Sequence, residues 1–341
     1  MSISRKIIAS IGVALAVAFT ATTWVIGNHS ATATRDLAYQ LATEAASHQG
    51  QAIQTELEHA MGVVRALEFY SRESVIQGNT DRALLNQVLA RSVKDNPGFL
   101  LGSWMLWEPN AYDGRDQEYA NTPQHDDTGR VNSYWHWDDS GQVIHENNVE
   151  WEEASWYNEP RKAGEPILLD PYIYKVSGVD TMLISLIAPV IIDDRFQGVM
   201  GVDFKLSTLQ KYVRDIKVLG DSYAALIAND GTYIAHPDSE KIGQKLGDTR
   251  EEKLSLRSIQ SGNATVRVNY DAYLHEEAHT LYTPIKINGA LAPWSLRVSI
   301  PTRLEKISVR PRNRILKIAI FCSGENEAGT GEGAWIFAAL P

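Results

Sequence analysis

The segment 151–203 combines aromatic rings with carboxylates, two side-chain types that together suit a small organic cation. Its rings and carboxylates are Trp151, Trp156, Tyr157, Tyr172, Tyr174, Asp170 and Asp203. A cation is attracted to the face of an aromatic ring, and small-molecule sites are mostly apolar pockets with a few placed polar groups. These residue types therefore predict a ring-walled, anionic pocket that binds a cation.

The two carboxylates stand in different sequence contexts. Asp203 lies in the apolar strand predicted at residues 196–204, where an unpaired carboxylate is costly to bury and needs a cation or hydrogen-bond donors. The alternative is that Asp203 caps the helix predicted to begin at Leu206. Asp170 precedes Pro171, so it is either a second ligand-binding carboxylate or a turn residue.

The spacing of the aromatic residues limits which rings can share one pocket. Tyr172 and Tyr174 are two residues apart, so they point to the same face of a strand. Trp156 and Tyr157 are adjacent, so both can face a ligand only from a loop or from the end of a helix. Trp137 is predicted as a further wall of the pocket.

Two other groups of residues are assigned no ligand. Trp104 lies on an apolar strand, where an aromatic ring is more often part of the core. His125 and His136 raise the question of a metal, but no second histidine stands at ligand spacing from either. A solvated loop is the better interpretation of the His125 region, and we expect no metal or other cofactor.

An uncharged apolar run fills residues 7–27, directly after Arg5 and Lys6. About 20 apolar residues are needed to cross a bilayer as a helix. The run therefore predicts a transmembrane helix, and the basic residues predict a cytoplasmic N-terminus at residues 1–6. A signal peptide cleaved near residues 31–33 is the alternative, but the apolar core of a signal peptide is usually shorter.

A long helix is predicted over residues 34–89, because Ala, Glu, Gln and Leu are abundant there and proline is missing. Apolar residues recur near helical spacing along it and form one apolar face. Such a face needs a surface to pack on. We expect it to contact the following domain and a second copy of the chain, giving a homodimer.

The rest of the chain predicts an α+β fold with antiparallel sheets, arranged in two units at residues 90–210 and 211–301. Strands are predicted at residues 171–174, 181–192 and 196–204. In the second unit, the turn sequence 229–231 between alternating apolar residues predicts a hairpin.

The C-terminal residues are less regular. Residues 302–321 are basic at first and then apolar, which predicts a returning helix and the start of a second membrane segment. Residues 322–341 form an atypical tail that interrupts this run well short of a spanning length. No cytoplasmic signalling module is expected within the chain as given.

Composition excludes several classes of function. The chain has 32 basic and 42 acidic residues, for a net charge of −10, so it lacks the basic field that nucleic-acid binding requires. Its one cysteine, Cys322, excludes an intramolecular disulfide. The sequence contains no nucleophile-elbow, Walker, zincin or dinucleotide-binding motif, so we do not expect an enzyme.

The order of these elements resembles the periplasmic sensor of a bacterial methyl-accepting chemoreceptor of the double Cache family, with two PAS-like units. The resemblance covers about residues 34–310. The segments that carry it are 107–114, 156–157, 171–174, 198–203 and, in the second unit, 229–243. It implies a sensor anchored in the bacterial inner membrane, with a membrane-distal unit at residues 90–210 that binds the ligand.

The resemblance also implies roles for individual residues. Amino-acid-sensing members place an arginine two residues before the Trp-Tyr pair, and here that position is Ala154 before Trp156 and Tyr157. Tyr172 and Asp203 stand where the family holds a ligand amino group. Because alanine cannot bind a carboxylate as the planar guanidinium does, the pattern resembles the amine-sensing branch, whose ligands are polyamines, biogenic amines or quaternary amines.

Two alternatives remain open at this point. Neutral purines also stack on Trp and Tyr and hydrogen-bond to a carboxylate, so the same sensor architecture with a purine or amino-acid ligand is one alternative. The other is a periplasmic interaction module that binds a partner protein through its long helix and binds no small molecule.

Overall fold

A computed structural model of the chain describes residues 3–214, 216, 221–288, 292–303, 319–320 and 336–337. The predicted returning helix at residues 302–321 and the tail at 322–341 therefore lie almost entirely outside the described residues. The two short C-terminal segments that are described, Ala319–Ile320 and Ile336–Phe337, pair as antiparallel strands.

The described chain forms helices and strands that alternate after one long first helix. The helices are α1 (Ile3–Ile76), α2 (Arg82–Lys94), α3 (Asp116–Tyr119), α4 (Ser155–Ala163), α5 (Leu206–Arg214) and α6 (Arg250–Gln260). The strands of the first sheet are β1 (Gly102–Trp107), β2 (Asn132–Trp137), β3 (Val143–Glu146), β4 (Ile167–Val176), β5 (Val179–Ile192) and β6 (Arg195–Lys205). Those of the second sheet are β7 (Tyr223–Ile227), β8 (Tyr233–Ala235), β9 (Thr265–Asp271), β10 (Glu276–Ile285) and β11 (Trp294–Pro301).

The helix predicted over residues 34–89 is interrupted. Helix α1 ends at Ile76, and Gly78 has a left-handed φ of 64°, a conformation that glycine adopts without steric cost and that ends the helix. Asp81 then caps α2, because its side chain accepts a hydrogen bond from the Leu84 N–H at 3.0 Å.

The transmembrane helix predicted at residues 7–27 is not found. Among the described residues, no helix is both long enough and apolar enough to cross a membrane. Residues 7–27 belong to α1, which continues from them without a break.

The first sheet has the strand order β3-β2-β1-β6-β5-β4, and every neighbouring pair is antiparallel. This confirms the antiparallel sheet and the three strands predicted within residues 171–204. One face packs on α1 and α2, and the other is covered by α4. Because side chains alternate between the two faces of a strand, each strand contributes to both layers.

The second sheet has the order β8-β7-β11-β10-β9 and is also antiparallel. The predicted hairpin is confirmed, since residues 229–231 connect β7 to β8 and Gly231 has a φ of 91°. Helix α1 packs on β10 and β11, and α6 covers the opposite face. A single apolar core therefore runs along α1 and joins the two sheets.

Candidate ligand-binding site

Asp203 is buried near the centre of the first sheet, on the face covered by α4. It lies on β6 between Gly102 of β1 and Ser185 of β5, which are its partners in register. Asp203 is only 2% exposed. The Trp104 indole Nε1–H donates to Asp203 Oδ1 at 2.8 Å, and the Ser185 hydroxyl donates to the same oxygen at 2.6 Å.

Tyr172 joins this network through Ser185. The Tyr172 hydroxyl lies 2.7 Å from Ser185 Oγ. Because Ser185 gives its proton to Asp203, Tyr172 must be the donor to Ser185. The hydrogen bonds from Trp104 and Ser185 both fall on Oδ1 of Asp203, so Oδ2 receives neither of them.

Burial raises the pKa of the Asp203 carboxyl from its ordinary value of 3.8 to about 6, against the opposing effect of the hydrogen bonds from Ser185 and Trp104. The nearby Tyr134 hydroxyl also favours the charged carboxylate, although its oxygen makes no hydrogen bond of normal geometry. Burial and the negative charge of Asp203 raise the pKa of Tyr134 well above 10. Asp203 is therefore a desolvated anion at neutral pH.

Four rings pack together on this face of the sheet, and we call them the aromatic wall: Trp104, Tyr134, Trp156 and Tyr174. Trp104 and Trp156 meet edge to face with centroids 5.0 Å apart. Tyr174 contacts Trp156 at 6.2 Å and Tyr134 at 6.0 Å, again edge to face. These separations are typical of stabilising aromatic pairs, so the rings hold one another in place.

Two glycines allow the wall to approach the sheet. A Cβ atom on Gly201 would lie 2.2 Å from Cζ2 of Trp104, and one on Gly102 would lie 2.4 Å from Cε2 of Tyr134. Both distances are far below any real carbon–carbon contact. The rings therefore rest directly on the backbone of β6 and β1, which explains why these strand positions are glycine.

Helix α4 positions the Trp156-Tyr157 pair, as the adjacency of the two rings required. The helix begins at Ser155, so both residues lie in its first turn and both are buried. Tyr157 packs against Trp151 at 5.3 Å, and its hydroxyl donates to Glu108. Burial raises the pKa of Tyr157 to about 12. Trp156 thus belongs to the aromatic wall, while the polar end of Tyr157 is already bound.

Tyr174 completes the wall from β4, on the same face as Tyr172. Its hydroxyl accepts a hydrogen bond from the Val149 N–H at 3.1 Å. Burial raises its pKa to about 12.

The structure does not place Asp170 in this pocket. Its Oδ1 accepts hydrogen bonds from the Asn229 N–H at 3.2 Å and from the Trp294 Nε1–H at 3.1 Å, and its Oδ2 accepts from the Asp230 N–H at 3.1 Å. The register of β4 shifts between Leu169 and Tyr172, and this irregularity directs Asp170 away from Asp203. Asp170 instead ties the first sheet to the β7–β8 turn of the second.

Trp137 is also separate from the site. It is the neighbour of His136 on β2, and adjacent strand residues point to opposite faces. His136 shares the Asp203 face, because it pairs with Gly102 in register. Trp137 lines a different, open cavity of about 340 Å³ together with Phe99 and Lys205.

Sequence reasoning missed four residues around Asp203: Trp104, Tyr134, Ser185 and His136. The core position expected for Trp104 is confirmed, since it is 2% exposed, and its indole N–H also donates to the Asp203 carboxylate. Ser185 carried a usable signal, since it is a polar residue within an otherwise apolar strand. The His136 ring lies 4.7 Å from the Tyr134 ring, and its Nε2 lies 3.2 Å from Glu146 Oε2.

No lysine or arginine forms an ion pair with Asp203 in the part of the chain that the structure describes. Ala154 caps α4 without a side-chain hydrogen bond. Arg130 lies beside Tyr157 but donates twice to the Trp107 carbonyl, at 2.9 and 2.6 Å, and stacks on Trp151. Its guanidinium is therefore held away from Asp203.

Two antiparallel sheets pack on one long helix, and the first sheet contains a buried polar and aromatic cluster around Asp203. The chain belongs to the Cache family: the dCache_1 model, described as Cache domain, matches residues 30–304. This match confirms the resemblance found at about residues 34–310.

Comparisons with individual known proteins agree with this family assignment. The methyl-accepting chemotaxis protein TlpQ of Pseudomonas aeruginosa is 35% identical over an alignment of 144 residues that covers 37% of this chain and 20% of TlpQ. The chain thus spans about a fifth of the length of that relative. Among solved structures, the extracellular domain assigned to the histidine kinase mmHK1S-Z3 is 25% identical with a TM-score of 0.71, covering 80% of this chain and 97% of that one.

A second solved structure shows the fold alone. The ligand-binding domain of Mlp24 with asparagine is 16% identical with a TM-score of 0.53, covering 81% of this chain and 98% of that one.

Proposed function

We propose that this chain is the extracytoplasmic sensor of a bacterial chemoreceptor, on the periplasmic side of the inner membrane. Its first-sheet unit, the membrane-distal one, binds a small organic cation: a polyamine, a biogenic amine or a quaternary amine. One observation carries the proposal. The Asp203 carboxylate is buried among aromatic rings and has no Lys or Arg ion pair among the described residues.

The ligand cation supplies the charge that this carboxylate lacks. Ser185 and Trp104 occupy Oδ1, so an ammonium N–H binds Oδ2. A hydrogen bond to a charged group contributes about 1.5–3 kcal/mol, and each cation–π contact about 0.5–2 kcal/mol. With several rings available, these contributions approach the roughly 8 kcal/mol that micromolar binding requires.

Among the described residues no arginine pairs with Asp203, and this favours a cation over an amino acid as the ligand. An amino-acid ligand has a carboxylate as well as an amino group, and its carboxylate needs a donor such as a guanidinium. Ala154 provides none, and the Arg130 guanidinium donates through Nε and Nη2 to the Trp107 carbonyl and stacks on Trp151. A simple amine leaves no such group unpaired.

The route of the signal follows the packing of α1. This helix packs on β5 and β6, the strands that carry Ser185 and Asp203, and also on β10 and β11 of the second sheet. Glu58 of α1 accepts a hydrogen bond from the Asn288 N–H at 2.7 Å. A ligand that closes the pocket would therefore favour one of two positions of α1 by its difference in affinity for them.

Titration calorimetry of the chain at pH 7.5 tests the proposal. The ligands are putrescine, histamine and choline, with asparagine and adenine for the amino-acid and purine alternatives. We expect heat from at least one cation. Heat from asparagine or adenine alone would contradict the ligand class, and no heat from any of the five would favour an interaction module.

A further inference from the structure

The second sheet has a buried polar cluster of its own, on the face covered by α6. We call it the second-sheet cluster, and it consists of Arg297, Asp271, Thr280, Ser299, Tyr223 and Tyr233. Arg297 is 7% exposed and Asp271 is 1% exposed. None of these residues has a part in the site around Asp203, because they belong to the other sheet.

Arg297 has more hydrogen-bond donors than the cluster uses. Its Nε–H donates to Ser299 at 3.3 Å, one Nη1–H to the Tyr233 hydroxyl at 3.1 Å and one Nη2–H to Asp271 at 2.6 Å. A guanidinium carries five N–H groups. Two of them therefore have no acceptor among the described residues, although the side chain is removed from water.

Thr280 adds a second unpaired group. It lies opposite Ser299 in register, so its side chain is on the same face as Ser299 and Arg297. Thr280 is fully buried, and its hydroxyl has no hydrogen-bond partner in the part of the chain described. Buried hydroxyls nearly always have a partner, and leaving one without costs stability.

The cluster, like the first site, includes residues of an interior strand of its sheet. Asp203 lies between Gly102 on one neighbouring strand and Ser185 on the other. In the same way, Ser299 lies between Tyr223 on β7 and Thr280 on β10. Both sheets thus bury polar side chains on a central strand, at Asp203 in the first and at Arg297 and Ser299 in the second.

Aromatic rings border this cluster, and one of them is partly exposed. The Tyr273 ring lies 4.8 Å from Tyr223 and 5.1 Å from His236, and Tyr273 is 44% exposed. His236 Nδ1 accepts a hydrogen bond from the Asp238 N–H at 3.0 Å, so its proton is on Nε2. Burial and Arg297 lower the pKa of His236 to about 4, so the ring is a neutral donor.

We propose that the second-sheet cluster is a second small-molecule site, which binds a small carboxylate between Arg297 and Thr280. The two unused N–H groups of a planar guanidinium match the oxygens of a carboxylate. The Thr280 hydroxyl donates to one of these carboxylate oxygens and so gains the hydrogen-bond partner that it lacks. Asp271 stays bound to Arg297 on its other side, which keeps the empty site neutral.

The test is calorimetry of the whole chain with acetate, propionate and L-lactate as probes. The Thr280→Val variant removes only the unpaired hydroxyl and keeps the shape of the side chain. We expect the wild type to release heat with at least one probe, and Thr280→Val to bind it about tenfold more weakly, the effect of losing one hydrogen bond. The melting temperature of Thr280→Val should be unchanged or higher.

Two controls separate this proposal from the amine site. Asp203→Asn should leave carboxylate binding unchanged, whatever it does to the binding of amines. In the wild type, the probe should also shift the NMR signal of the Arg297 side chain, a result that depends on no variant. No heat from any probe, or equal affinity in Thr280→Val, would show that Arg297 and Asp271 form only an internal ion pair.

Discussion

Replacing Asp203 by asparagine should stabilise the empty domain while it removes amine binding. Asparagine keeps the shape of the side chain and one acceptor oxygen. Both hydrogen bonds to Asp203 fall on Oδ1, so Trp104 and Ser185 keep their acceptor. What the variant loses is the buried negative charge, together with the ligand's counter-ion.

The magnitude follows from the pKa. Burial raises the pKa of Asp203 from 3.8 to about 6. Each pH unit of difference corresponds to about 1.4 kcal/mol, so the charged carboxylate costs the folded state on the order of 3 kcal/mol. Because the folded pKa is the higher one, this cost is absent below about pH 4, grows between pH 4 and 6, and is complete above pH 6.

The assay is urea unfolding of both proteins at pH 7.5 and pH 4. At pH 7.5 we expect Asp203→Asn to be more stable by about 2 kcal/mol, since the new amide N–H group offsets part of the gain. At pH 4 the difference should nearly vanish. Asp271→Asn is the matched control: Arg297 helps to hold the pKa of Asp271 below its ordinary value, so its substitution should destabilise at pH 7.5.

Amine affinity gives the second half of this prediction. Loss of a charge-assisted hydrogen bond of about 1.5–3 kcal/mol weakens binding roughly 10- to 150-fold. If Asp203→Asn unfolds more easily at pH 7.5, or binds the amine as well as the wild type, then Asp203 is a structural residue and the reasoning fails.

Three further results should follow, each with its own measurement. Trp137→Phe should leave amine affinity by calorimetry within about twofold, because Trp137 lines a separate cavity; a tenfold loss would move the site. Gly201→Ala should lower the melting temperature sharply and abolish amine binding, because its Cβ would lie 2.2 Å from Trp104; normal binding would contradict the tight wall. Asp170→Ala leaves three N–H donors without their acceptor and should cost about 2–4 kcal/mol in urea unfolding, with amine affinity unchanged; an equal loss of affinity would place Asp170 in the site.

The sheets were predictable because their signals are local. Strands of the first unit show apolar runs bounded by turn residues, and the hairpin at residues 229–231 carries its own turn signal. The break after Ile76 was harder to see, since only Gly78 and the capping Asp81 mark it within a long helix-forming composition. Helix propensity alone extended that helix to residue 89.

The site was predictable in its residue types and less so in its geometry. Asp203, Tyr172 and Trp156 do come together, and they were selected as a carboxylate with rings nearby. Trp137 was expected to line the pocket, but Trp104 lies there instead, and this shows the limit of predicting geometry from sequence. Which face a strand side chain occupies depends on the register with its neighbours, and one residue of shift reverses it.

Asp170 illustrates a second limit. It lies only two residues before Tyr172, yet the irregularity in β4 sends the two side chains to different partners. Its carboxylate oxygens accept hydrogen bonds from backbone N–H groups about sixty residues later in the chain, at Asn229 and Asp230. A contact of that kind leaves no pattern near residue 170, so sequence reasoning could not separate a tie between sheets from a ligand contact.

The most direct test is an NMR titration of the Asp203 carboxyl carbon, with and without a saturating amine selected by calorimetry. The empty protein should show a pKa of about 6. A bound cation favours the charged carboxylate, so the amine should lower that pKa by more than one pH unit. The same pKa in both samples would show that the ligand cation does not lie at Asp203.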